Sequence, residues 1–71
     1  MSGVAKVKED GQFVFGGAAG VATIDYHAGD LWKFNQTKSG ANMLDVESGE
    51  GIHLEMTIQK FYNVFDIVEK G

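Results

Sequence analysis

Residues 52–59 alternate without a break: Ile52, Leu54, Met56 and Ile58 are apolar, and His53, Glu55, Thr57 and Gln59 between them are polar. A period of two places four apolar side chains on one sheet face and four polar ones on the other, whereas a helix would scatter them around its circumference. A chain organised around such a segment must bury one face of a β-sheet. The remaining pattern agrees. Val21 to Tyr26 alternates Ala22, Ile24 and Tyr26 against Thr23 and Asp25, and Leu31 to Asn35 alternates Trp32 and Phe34 against Lys33 and Asn35. Met43 to Val46 reads as a short strand, Gln12 to Phe15 as another, and Val4 to Glu9 as a first. Glycines and small polar clusters separate them: Gly16–Gly20, His27-Ala28-Gly29-Asp30, Gln36–Ala41 and Glu47–Gly51. Asp10-Gly11 carries a strong two-residue hairpin signal between the first two strands.

The segment from Lys60 to Gly71 fits two forms. As a helix it places Phe61, Val64, Phe65 and Val68 on one face, with Lys70 and Gly71 suited to a helix terminus. As a strand it continues the earlier alternation through Tyr62, Val64 and Val68. A single strand from Gly51 to Glu69 would run roughly 60 Å at ~3.3 Å per residue. That exceeds the size of so short a chain, so the backbone must bend or change type near Lys60. The expected fold is therefore mainly β: a small antiparallel β-sandwich or barrel of about six short strands, with one short C-terminal helix as an option.

Seventy-one residues provide at most one domain, and no cysteine is present to cross-link it. A chain of this length buries a smaller fraction of its surface than a larger one, so further burial against a partner is expected, a second copy being the simplest. Eight aromatic residues (one Trp, two Tyr, five Phe) are many for one small core. Core packing is the commoner use of such side chains, but Trp32, Phe34, Phe61 and Phe65 are also candidates for a contact between chains.

Charge narrows the partners. The net charge is −4, and all six basic residues are lysines, of which only Lys6 and Lys8 lie close in sequence. Without arginine or a basic cluster there is no footprint for displacing counterions from nucleic acid, nor for an anionic membrane. Met1 to Lys8 is too short and polar for a signal peptide, and no apolar run spans a bilayer. A cytoplasmic or virion setting is the expectation.

The residues that carry chemistry are sparse. Asp25, His27 and Asp30 would make an incomplete carboxylate–histidine metal site, and they read more simply as a polar turn. His53 and Glu55 share one strand face, the exposed one. Asp45, Glu47 and Glu50 lack the spacing of a calcium loop. Gly16–Gly20 lacks the lysine of a P-loop and precedes a strand rather than a helix. Ser2, Ser39 and Ser48 lie in no nucleophile motif. Hence no catalytic residue, cofactor or metal is assigned. The reading that follows is a non-enzymatic structural or interaction module that self-associates, such as a virion or shell accessory protein or a small inhibitor of another protein. The alternative is a homo-oligomeric ring that binds a small ligand between subunits, near Trp32 and the Gly16–Gly20 loop. A metal-dependent enzyme using His27, Asp25 and His53 stands third.

Overall fold

The computed structural model describes residues 2–38 and 40–71, the side chain of Phe15 apart. Seven strands and one helix follow in the order β1 (Ser2–Val7), β2 (Gly11–Gly17), β3 (Gly20–Tyr26), β4 (Leu31–Gln36), β5 (Met43–Glu47), β6 (His53–Thr57), α1 (Ile58–Val64) and β7 (Phe65–Lys70). Five strands form one antiparallel sheet in the order β6-β5-β4-β1-β7, and β2 and β3 form a separate two-stranded hairpin. The fold is mainly β, in two antiparallel sheets with one short helix, as the alternation implies.

The register explains why alternation was visible. Phe34 lies opposite Val46, Leu44 opposite Met56, and Ala5 opposite Trp32. Opposed residues share a face, so these pairs line one surface of the sheet, and all are buried. Lys33 opposite Glu47 and Asn35 opposite Asp45 line the other face. Two covers close the inner surface. On one side α1 sets Phe61 over Phe34 and Phe65, with ring centroids 5.0 and 5.1 Å away. On the other the hairpin lays Phe13 against Tyr26, Trp32 and Phe65 at 4.6, 5.8 and 6.4 Å.

The C-terminal segment resolves into both expected forms in succession. The longest dimension of the molecule is 36 Å, too short for one strand from Gly51 to Glu69. The chain changes type at Thr57, whose Oγ1 accepts the Lys60 N–H at 3.1 Å and caps α1. The Ile58 N–H donates to the Asn42 carbonyl at 2.8 Å, tying that turn to the loop before β5. The helix ends at Val64, whose carbonyl accepts the Lys8 N–H, and Phe65 is already extended. Lys70 and Gly71 therefore do not terminate a helix: Lys70 closes β7, opposite Gly3. Val68 does not join the apolar face either. The β1–β7 register jumps from Val4–Glu69 to Ala5–Ile67, and the extra residue, Val68, is half exposed at this bulge.

The Asp10-Gly11 signal is also corrected. β1 pairs with β4 and β7, not with β2. The bend after β1 is held from the far side: the Val7 carbonyl accepts the Gly29 N–H, and Asp10 Oδ1 accepts the Ala28 N–H at 2.7 Å. Gly11 opens β2, where an added Cβ would overlap the Tyr26 ring. Its smallness serves packing rather than a turn.

Gly3 has a stricter requirement. Its φ is +150°, and an added Cβ would overlap the Glu69 carbonyl of β7. Gly3→Ala is expected to cost about 1–3 kcal/mol in backbone strain and to loosen the β1–β7 pairing. A urea midpoint unchanged from the native chain would show that this close approach is not needed. No helix among the described residues is long and apolar enough to cross a membrane.

Candidate interaction surface

The four aromatics considered for an interchain contact all lie inside a single chain. Trp32 is 4% exposed, Phe34 2%, and Phe61 and Phe65 0%. In the single chain all four serve as core residues. Asp25, His27 and Asp30 are brought near one another, but as turn and hairpin supports. Asp30 Oδ2 accepts the His27 N–H at 2.9 Å, and Asp25 Oδ1 accepts from Gln12 Nε2 at 2.7 Å. Among the described residues no group of three or more histidines and carboxylates is placed to hold a metal ion. Gly16 to Gly20 forms the tip of the β2–β3 hairpin, turning at Ala18-Ala19. Trp32 stands by Phe13 at the hairpin's base, so these two features occupy opposite ends of it.

One cluster was not anticipated. His53 was matched with Glu55 on its own strand. In the structure it faces β5 instead, with Nδ1 3.0 Å from Asp45 Oδ2 and Nε2 3.7 Å from Glu47 Oε2. The signal was present in the sequence: the polar faces of β5 and β6 coincide once the Glu47–His53 pair closes the hairpin between them. The hydrogen bond to Asp45 raises the His53 pKa above its ordinary value; desolvation opposes the rise, and the Asp45 and Glu47 charges add to it. A folded-state pKa above the unfolded one means that the stabilising contribution is complete below the unfolded value. It fades as pH climbs through the folded one. Following the imidazole by NMR should show His53 titrating at a lower pH in Asp45→Asn than in the native chain; superimposable curves would remove the hydrogen bond as the cause.

Among the described residues the most exposed apolar feature is the outer half of the β2–β3 hairpin, the arm. Its base is anchored by Phe13, Ile24 and Tyr26, which pack on the core. Beyond that base Val14 is 64% and Val21 74% exposed, and Thr23 and Ala22 are exposed as well. From Phe13 to Ile24 the chain carries no charge and no proline. Among the described residues β2 and β3 pair only with each other, so each keeps an open edge.

The contrast with the other open edges is informative. Exposed sheet edges are normally blunted by charges, prolines or bulges, because unpaired N–H and C=O groups template pairing with another chain. β7 has Asp66, Glu69, Lys70 and a bulge, and β6 has His53 and Glu55. The arm has none of these. Between its base and β6 lies an open groove of about 330 Å³, lined by Phe13, Val14, Met43, Leu54, Met56 and Lys60 among others.

No family model, no curated protein and no solved structure matches this chain.

Proposed function

We propose that this chain is a structural or interaction module that assembles with copies of itself, using the β2–β3 arm as the contact. One observation carries the reading: the exposed outer part of a hairpin, Phe13 to Ile24, is free of charge and unblunted in a chain whose sixteen charged residues all lie outside that run. Two isolated strands are marginal in water without further packing. An arm that reaches past its own core is stabilised when a second surface covers it. Copies that share a net charge of −4 repel one another, and the arm is where they approach with least opposition.

Size exclusion with light scattering, run across two orders of magnitude in concentration, tests this. The expected result is a mass that rises to a multiple of the single chain, and a return to the monomer in Val21→Lys. A monomer at every concentration would overturn the reading.

A further inference from the structure

We infer that the arms of two copies pair edge to edge, β3 against β3 in antiparallel register, about a two-fold axis passing by Ala22. The inference rests on the self-association reading and deepens it by naming the strand, the register and the symmetry.

The hydrogen-bonding pattern of the hairpin fixes which groups are free. β2 and β3 turn through two residues, Ala18 and Ala19, so Gly17–Gly20 is a hydrogen-bonded pair. Pairs then alternate along the ladder. Phe15–Ala22 and Phe13–Ile24 exchange hydrogen bonds within the hairpin, while Gly16–Val21, Val14–Thr23 and Gln12–Asp25 do not. On β3 the N–H and C=O groups of Val21, Thr23 and Asp25 therefore point away from β2, along the open edge. An antiparallel partner must meet those residues as hydrogen-bonded pairs.

A two-fold by Ala22 does so. It sets Val21 against Thr23 of the partner subunit, and Thr23 against Val21 of the partner subunit, each a hydrogen-bonded pair. Ala22 then faces Ala22 of the partner subunit as a non-hydrogen-bonded pair. The register is self-complementary, as a two-fold interface requires. It also builds a row of Val14, Thr23 and Val21 of the partner subunit across one face, since Val14 lies opposite Thr23. Centring the axis on Asp25 would instead oppose two carboxylates. β2 is the poorer edge, because its Phe13 and Val14 border the groove beside β6. On β3, residues 20–23 are all exposed.

The absence of cysteine from the chain gives a clean test. Across a non-hydrogen-bonded antiparallel pair the Cα atoms are about 4.5 Å apart. That falls within the roughly 4.4–6.8 Å that a disulfide spans. Ala22→Cys, under mild oxidation, is expected to convert mainly to a covalent dimer that reductant reverses. Val68→Cys, exposed on β7, and Val14→Cys, on the β2 edge, should link at least tenfold more slowly. A measurement on the unaltered chain stands beside it: in a mixture of labelled and unlabelled protein, isotope-filtered NOEs should connect Val21 with Thr23 between subunits. An oligomer by light scattering in which Ala22→Cys links no faster than Val68→Cys would overturn this pairing and leave self-association standing. Faster linkage of Val14→Cys would move the contact to β2 and overturn it as well. A monomer at every concentration would remove both readings together.

Discussion

Phe61→Ala is expected to lower the urea midpoint far below the native or to abolish the cooperative transition altogether. Phe61 is fully buried on α1, stacks on Phe65 of β7 and meets Phe34 of β4 at a tilt, so it joins the middle of the sheet to its edge. Truncating a buried phenylalanine costs about 3–5 kcal/mol, the transfer term plus the cavity left behind. Native stability of about 0.05–0.15 kcal/mol per residue gives roughly 4–10 kcal/mol for a chain of this length. The loss therefore takes from about a third to all of the native stability. The cavity cannot close easily. α1 has seven residues and is pinned at one end by the Thr57 cap and at the other by the Lys8–Val64 hydrogen bond. Near-ultraviolet circular dichroism during urea titration should show no sigmoidal transition, or one with a midpoint far below the native. Tyr62→Ala, one residue along and 46% exposed, is the control. Equal midpoints for the two variants would contradict the packing account.

These packing relations bear on how far the sequence could be read. Of the strand read at 52–59, His53–Thr57 was legible because its side chains obey a single rule: β6 lies at the sheet edge with one face inward, and Leu54 and Met56 turn to the core while His53 and Glu55 do not; Ile58 and Gln59, which continue the alternation, already belong to α1. The turn at His27–Asp30 was legible because its two ends are tied locally, the His27 N–H to Asp30 Oδ2 and the Asp30 N–H to the His27 carbonyl, whereas its bonds to Val7 and Asp10 were not foreseeable. The segment after Thr57 was not. Phe61, Val64 and Phe65 satisfy a helical period, and the residues beyond satisfy a strand, so each alternative described half of the segment. The switch rests on a cap without the acidic residue at the third helical position that would advertise it, since Lys60 stands there. Asp10-Gly11 misled for a different reason. A turn signal is local, and pairing is decided by which strands bury Ala5 and Val7; those are β4 and β7, distant in sequence. The candidate surface suffered the same limit. Trp32, Phe34, Phe61 and Phe65 stood out by size, but the core claims them. The charge-free run from Phe13 to Ile24 was written in plain view, yet its glycines read as a loop. Only the hairpin register shows that it stands out as an arm.

The second large effect concerns the base of that arm. Phe13 is 4% exposed and meets Tyr26 from its own hairpin, together with Trp32 of β4 and Phe65 of β7. It is the main side chain through which the two sheets adhere; Ile24 and Tyr26 are only partly buried. Phe13→Ala should cost about 3–5 kcal/mol by the same cavity argument. The loss should not spread evenly, because a hairpin detached from the core is left as two isolated strands, whereas the other five keep their pairing and the α1 cover. Amide hydrogen exchange reads the distribution. The hydrogen-bonded amides of Ala22 and Ile24 are expected to lose most of their protection in Phe13→Ala, while those of Leu44 and Val46 in β5 lose less. An arm that frays in this way also forfeits its ordered edge, so self-association should weaken in the same variant with no change at Val21 or Thr23. Equal loss of protection in arm and sheet would mean that the molecule opens as one unit, and that Phe13 is an ordinary core residue rather than the joint between core and arm.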